Sequence, residues 1–173
     1  DDSSKQFLND IFYNPQFRDE NGNLTYSINK SPFWQLCREI MYQAEDGENW
    51  PQKIVWSNVY KVTYDGVSIS WQLMNETIQA CLEILKYEIE IFKPNHVVFV
   101  TGDSHFLPEK FGDAFTSVFS AEQQHGSFDV LSKGIYTDST GHKVKMIAVT
   151  RPEFRDGSRD EQAAKILNAF NSI

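Results

Sequence analysis

The run that most constrains the fold is HVVFVTG, residues 96–102, which is short and almost wholly apolar. A strand buried on both faces has this pattern, because neither side of it meets water. Residues 72–92 before it carry apolar side chains at helical spacing, and Pro94 ends that helix. Gly102 allows a sharp turn at the carboxyl end of the strand. A long helix followed by a doubly buried strand predicts an α/β protein with parallel strands.

The rest of the chain continues the alternation of helices and strands. Ser31 as N-cap and Pro32 as first helical residue start a helix over 32–44. Ser158 and Glu161 form a capping box that starts a last helix. Patterns of β-branched residues and turn residues predict the remaining elements: strands at 53–62, 128–131, 134–137 and 143–149, turns at 20–23, 65–66 and 138–141, and a short helix near 108–118.

These elements predict one domain, residues 1–173, in which 1–30 is an irregular N-terminal segment. The expected architecture is a three-layer α/β/α arrangement with a mainly parallel central sheet covered by helices on both sides. Ligands bind outside the carboxyl ends of the strands in such a sheet. The candidate positions are therefore those that follow predicted strands: Ser57-Asn58, residues 101–105 and residues 150–154.

Composition excludes several classes of protein. Hydrophobic residues make up 40% and charged residues 23%, as in ordinary globular proteins. No apolar run approaches the ~20 residues of a membrane span, and the start DDSSKQFLND lacks the features of a signal peptide. The net charge of −8 argues against broad nucleic-acid binding, which needs a basic surface to displace counterions. That charge still allows a local basic patch or a brief enzymatic contact with DNA.

The cysteines and histidines predict neither a disulfide scaffold nor a metal site. Cys37 and Cys81 both fall on helix-like stretches, so we expect buried thiols and a cytoplasmic location. The histidines are not paired at metal-ligand spacing, and we expect no metal and no cofactor. The four are His96, His105, His125 and His142.

Several segments, taken in order, resemble the uracil-DNA glycosylase superfamily, especially its bacterial and archaeal single-domain branches. The resemblance covers roughly residues 31–165, and its most extensive part is the helix, proline and apolar strand that ends at Gly102. The segments that carry it are Ser31-Pro32-Phe33-Trp34, the strand-like run 55–62 containing Asn58, the helix 81–89 with Lys93-Pro94 and the strand 97–102, and the run 147–152 that ends in Arg151-Pro152.

The resemblance implies a site that holds a base flipped out of DNA and hydrolyses its N-glycosidic bond without metal or cofactor. Phe33 or Trp34 would stack on the base, and the amide of Asn58 would hydrogen-bond its edge. Arg151, where the family carries a histidine, would stabilise the departing base together with Asn58. Loops would complete the pocket with Thr101, Gly102, Asp103, Ser104, His105 and Pro152.

The chain departs from the family's pattern in its first motif, a strand and glycine-rich turn whose polar residue positions water. Residues 1–30 contain no such run, so the motif either lies upstream of Asp1 or is absent from the protein. The first alternative is favoured, because losing that strand would remove a central member of the family's sheet. The family's iron–sulfur branch needs four cysteines, of which only Cys81 has a match, so we expect no cluster.

Alternative interpretations remain for the residues and for the function. Asn58 could be a structural turn residue, Phe33 and Trp34 core residues, and Arg151 a solvated or salt-bridged loop residue. A catalytically inactive glycosylase-like domain would bind a nucleotide, nucleic acid or protein instead. Gly102-Asp103-Ser104 resembles the nucleophile motif of lipase-like esterases, although the Asp-x-x-His partner of that family is missing.

Overall fold

A computed structural model describes ten parts of the chain: residues 16–18, 20–22, 24–27, 30–44, 50–61, 70–101, 115, 128, 130–153 and 157–173. Within these ranges the helices and strands follow in this order: β1 Gln16–Arg18, β2 Leu24–Ser27, α1 Pro32–Ala44, a short 3₁₀ turn Trp50–Gln52, α2 Trp71–Phe92, β3 His96–Val100, β4 Val130–Thr137, β5 Lys143–Val149 and α3 Arg159–Asn171. Contacts group the chain into two compact units, a first unit of 1–54 with 152–167 and a second unit of 55–151 with 168–173.

The first unit contains a hairpin of β1 and β2, which pair antiparallel. The prediction of an irregular segment over 1–30 is wrong in this part, because strands of three and four residues are too short to show a clear alternation. The turn predicted at 20–23 is confirmed at Glu20, Asn21 and Gly22. Gly22 has φ +80°, a left-handed conformation that glycine adopts without steric cost.

Helix α1 has the bounds that its start signal and apolar spacing predicted. Its buried residues are Trp34 and Leu36, and Trp34 packs with Trp50 in a small apolar cluster. The amide of Gln43 near the end of the helix donates to the backbone carbonyl of Asp160 at 2.9 Å. The core of this unit therefore forms around aromatic side chains from α1 and the 3₁₀ turn.

Helix α2 is the main helix of the second unit, and it is capped by Ser70 at its start and by Lys93 at its end. The Ser70 hydroxyl accepts from the backbone N–H of Leu73 at 3.2 Å, which satisfies one of the free donors of the first turn. Lys93 adopts a left-handed conformation, and its N–H donates to the carbonyl of Ile89 at 2.8 Å. Spacing of three and four residues places one apolar face against the core, with Ile78, Leu82, Leu85 and Ile89 buried.

A small mixed sheet with the strand order β3-β5-β4 packs against this core, so the fold is of the α/β class. β3 and β5 run parallel from the pair His96↔Lys145 to the pair Val100↔Val149. β4 and β5 run antiparallel. The strand expected to be doubly buried, β3, lies at the edge of the described sheet, and β5 is its buried centre. The apolar run predicts a strand correctly but not its burial, because Phe99 is the one buried residue of β3 whereas five residues of β5 are buried.

The turn between β4 and β5 is organised by Asp138, as the turn residues at 138–141 predicted. Oδ1 of this buried carboxylate accepts from the backbone N–H groups of Thr140 at 2.8 Å and His142 at 2.9 Å. It also accepts from the Thr140 hydroxyl at 2.8 Å. Desolvation raises the pKa of Asp138, but these hydrogen bonds outweigh it and hold the pKa below its ordinary value.

Two other predictions need correction. The strand predicted at 53–62 is wrong over Lys53–Lys61, which has no strand structure. β-Branched and aromatic residues favour any half-buried surface and do not by themselves require a strand. In this segment the side chains of Ser57 and Lys61 hold the backbone against helix α2. The strands predicted at 128–131 and 134–137 are one strand, β4, with an irregular pairing between Val130 and Ser132. Of the helix predicted near 108–118, the structure describes only residue 115.

The last helix begins where Ser158 predicted it. The carbonyl of Ser158 accepts from the backbone N–H of Gln162 at 3.3 Å, which is the first turn of α3. The Ser158 hydroxyl hydrogen-bonds the Asp160 carboxylate and is the main cause of the lowered pKa of Asp160. At the other end of the helix, Nζ of Lys145 donates to the carbonyl of Phe170 at 2.8 Å.

Candidate functional site

The carboxyl ends of β3 and β5 lie side by side. The two strands are parallel and pair as far as Val100 and Val149, so Thr101 and Thr150 follow at the same edge of the sheet. Thr150 is buried, and the next residue, Arg151, is exposed. Two predicted site residues, Thr101 and Arg151, therefore follow neighbouring strands at one sheet edge, where α/β proteins bind ligands.

Thr101 presents a buried hydroxyl at this edge. Oγ1 has no hydrogen-bond partner among the described residues. Most buried polar atoms are paired, so such an atom calls for a water molecule or a ligand group. The end of β3 is held by aromatic packing, since Phe99 contacts Phe115 with ring centroids 5.9 Å apart. The hydroxyl therefore projects from a firmly packed strand.

Asn58 lies on an exposed segment of the second unit that side chains tie to helix α2. Nζ of Lys61 donates to Oε2 of Glu88 at 2.7 Å. The hydroxyl of Ser57 donates to the same carboxylate oxygen at 2.9 Å, and Nζ of Lys61 also donates to Oγ of Ser57. We call Ser57, Lys61 and Glu88 the anchor cluster, because it joins the residues flanking Asn58 to one point on α2.

The residues that follow Asn58 are held by packing and by a backbone hydrogen bond. Val59 and Tyr60 pack against the core beside α2, and the backbone N–H of Lys61 donates to Sγ of Cys81 at 3.3 Å. Desolvation, together with the neighbouring Cys81, raises the pKa of Tyr60. Asn58 itself remains exposed between these two attachments. Its amide is thus available to a ligand on a backbone that is fixed on both sides.

The sequence did not reveal the anchor cluster. The side chain of Lys61 is only 16% exposed, and that of its partner Glu88 is 29% exposed. Ser57 and Lys61 are four residues apart, but Glu88 follows 27 residues after Lys61. No local pattern connects residues at that distance, so only the three-dimensional structure could identify the cluster.

Phe33 and Trp34 belong to the first unit. The Trp34 ring is 5% exposed and packs with Trp50, so the structure favours the core interpretation of this residue over base stacking. Phe33 is half-buried and meets Trp34 edge-on, with ring centroids 4.9 Å apart. Pro152 is a buried residue of the same unit. The predicted pocket residues 102–105 lie outside the described residues.

The described residues include two free thiols but no candidate metal site. In the parts of the chain that the structure describes, no three His, Cys, Asp or Glu residues are placed to hold a metal ion. Cys37 and Cys81 are free thiols, and Cys81 is 2% exposed, which confirms its interpretation as a core residue. Burial raises the pKa of Cys37 to about 12, so this thiol is protonated at neutral pH. None of the described helices is both long and apolar enough to cross a membrane.

Comparison with protein-family models, with curated proteins and with solved structures finds no match to this chain. The case for a function therefore depends on the residues and on their placement. Three observations in the second unit bear on it: the exposed Asn58 on an anchored segment, the buried Thr101 hydroxyl, and Arg151 after the central strand.

Proposed function

We propose that the chain is a uracil-DNA glycosylase-like domain that binds a base flipped out of DNA and hydrolyses its N-glycosidic bond. The finer architecture, a three-layer α/β/α arrangement with a mainly parallel sheet, is part of this proposal. The observation that carries it is the parallel pairing of β3 and β5, which puts the positions of Thr101 and Arg151 at one sheet edge. In α/β proteins that edge is where ligands bind.

Each residue has a chemical role in the proposal. An amide such as that of Asn58 offers a donor and an acceptor, which match the edge of a pyrimidine. The Arg151 guanidinium stabilises the negative charge that develops on the base as the glycosidic bond breaks. The Thr101 hydroxyl gains a hydrogen-bond partner when the base or its water enters, which relieves the cost of an unpaired buried group. Water adds to the sugar carbon as the N-glycosidic bond breaks, the base departs as an anion, and this anion takes up the proton that the water loses.

The acidic character of the chain limits the kind of DNA contact. A net charge of −8 gives little attraction to phosphates, so affinity has to come from the base itself. A damaged or single-stranded base costs least to flip, because it is already poorly stacked. We therefore expect uracil in single-stranded DNA or in a mismatch to be a better substrate than uracil in a perfect duplex.

The test is an excision assay on oligonucleotides carrying uracil, with Arg151→Ala as the variant and Arg38→Ala as the control. Arg38 is an exposed residue of α1 and has no role in the proposal. Removing one group that stabilises developing charge lowers a rate about 100- to 1,000-fold, which is the loss we expect for Arg151→Ala. Equal rates for the two variants would refute the assignment of Arg151. Base binding without excision would support the alternative of an inactive binding domain.

A further inference from the structure

Trp56 is an exposed aromatic residue two positions before Asn58. Its side chain is 41% exposed, and its neighbour Val55 is 59% exposed. Tryptophan is highly buried on average, because its large ring gains much from leaving water. The other tryptophans whose side chains the structure describes, Trp34 and Trp50, follow this rule at 5% and 8% exposed. Trp56 is therefore much more exposed than Trp34 and Trp50.

The backbone that carries this ring is firmly held. The residue after Trp56 is Ser57, whose hydroxyl donates to Glu88 of α2 at 2.9 Å. Lys61 closes the same anchor cluster from the other end of the segment. A ligand that meets such a segment has little chain entropy to remove, and pre-organised groups bind more tightly for that reason. The anchor cluster thus fixes the backbone of a segment that carries both an exposed aromatic residue and an exposed amide.

We propose that Trp56 and Asn58 form a base-binding pair, in which the indole stacks on a nucleobase and the amide hydrogen-bonds its edge. The inference rests on the proposed base-binding role of Asn58, and it replaces the buried Trp34 by Trp56 as the stacking residue. Every base has a flat face that stacks on an aromatic ring, whatever its hydrogen-bonding edge. Both residues belong to the second unit, so the pair needs no contribution from the first.

The charges around the pair indicate which part of a nucleotide it recognises. Lys61 is already paired with Glu88 at 2.7 Å, so the cluster offers no net positive charge to a phosphate. Recognition through the neutral base releases few counterions, and its affinity therefore changes little with salt. The ligand is a single-stranded nucleic acid that is bound through its bases. Its affinity should change little with salt concentration, unlike that of a ligand bound through its phosphates.

The experiment measures binding of a fluorescein-labelled single-stranded oligonucleotide containing uracil, by fluorescence anisotropy at two salt concentrations. The variants are Trp56→Leu, which removes the ring, and Trp56→Phe, which keeps one. Val55→Ala is the matched control, since Val55 is the adjacent and more exposed apolar residue. Loss of one stacked base corresponds to a roughly 5- to 150-fold rise in the dissociation constant. We expect that rise for Trp56→Leu, a smaller one for Trp56→Phe and none for Val55→Ala.

Either of two outcomes overturns the inference: no binding of the oligonucleotide by the wild-type protein, or equal affinity of Trp56→Leu and wild type. The unfolding midpoint of each variant is also measured by circular dichroism, so that loss of binding through misfolding can be recognised. The excision assay separates this inference from the proposed reaction. Binding that depends on Trp56, in a protein that excises no base, would keep the base-binding pair and refute the hydrolysis.

Discussion

The ion pair between Lys61 and Glu88 should stabilise the protein more than a typical surface pair. Exposed pairs contribute about 0.2–1 kcal/mol, because water screens them and ordering long side chains costs entropy. Here the side chains are 16% and 29% exposed, and Oε2 of Glu88 also accepts from Ser57. A hydrogen bond to a charged group contributes about 1.5–3 kcal/mol when its partner is removed. Because both side chains are still partly exposed and water screens the pair, we expect a coupling energy of about 1 kcal/mol, at the upper end of the range for exposed pairs.

A double-mutant cycle measures this coupling energy. Lys61→Met and Glu88→Gln are made singly and together, and urea unfolding followed by far-ultraviolet circular dichroism gives the free energy of unfolding for each. The matched control is the pair of Lys86 and Glu83 on the same helix, which are 2.8 Å apart and 27% and 67% exposed. Substituted in the same way, the control pair should give about 0.3 kcal/mol, as exposed pairs on one helix do.

A Lys61–Glu88 coupling energy no larger than that of the control pair would refute this expectation. Such a result would mean that the cluster does not anchor the segment that carries Asn58. Ser57→Ala provides an independent check, since it removes the hydrogen bonds of the Ser57 hydroxyl with Glu88 and with Lys61 and leaves the ion pair in place. It should lower the free energy of unfolding by about 1 kcal/mol, below the range for hydrogen bonds to charged groups, because Ser57 is exposed and water partly replaces its hydroxyl.

Three further measurements test the fold and its titrating groups. Leu82→Ala removes a fully buried side chain of α2 and should cost about 3–4 kcal/mol in urea unfolding, whereas Ile84→Ala, at a 45% exposed position, should cost less than about 1 kcal/mol. In a Cys81→Ser background, iodoacetamide should leave native Cys37 unlabelled at pH 8, since its pKa is about 12, and should label it once the chain unfolds; labelling of the native protein would contradict that pKa. The folded pKa of Asp138 is depressed, so its stabilising effect is full above the ordinary value of 3.8 and is lost as pH falls through the folded pKa. The stability difference between wild type and Asp138→Asn should therefore shrink below pH 3.8, and a constant difference would refute the assignment.

Local signals predicted those elements that are long or have clear ends. Helix α1 has the expected bounds, and α2 starts one residue before its prediction, because apolar spacing, N-caps and Pro94 all act within a few residues. The hairpin of β1 and β2 was missed, since three or four residues cannot establish a period. The strand predicted at 53–62 was wrong over the described residues 53–61. The conformation of its β-forming residues is set by tertiary contacts, namely packing and the anchor cluster, which a local pattern does not contain.

The candidate site was predictable only in part. The carboxyl ends of neighbouring parallel strands lie at the same edge of a sheet, which predicts that Thr101 and Arg151 share an edge. The parallel pairing of β3 and β5 agrees with this prediction. The burial of Trp34 could not be read from its position at a helix start, where core and exposed aromatic residues look alike. Glu88 is one of several acidic residues on α2, and nothing local distinguishes it from Glu83 or Glu90.

The most direct test of the central claim is base excision by the purified protein and by its Asn58→Ala variant. The substrates are single- and double-stranded oligonucleotides carrying uracil, hypoxanthine or a mismatch, and the matched control is Asn75→Ala, an exposed amide on α2. We expect wild type and Asn75→Ala to excise uracil and Asn58→Ala to leave it in the DNA. Excision that survives in Asn58→Ala, or no excision of any base by the well-folded wild-type protein, would contradict it.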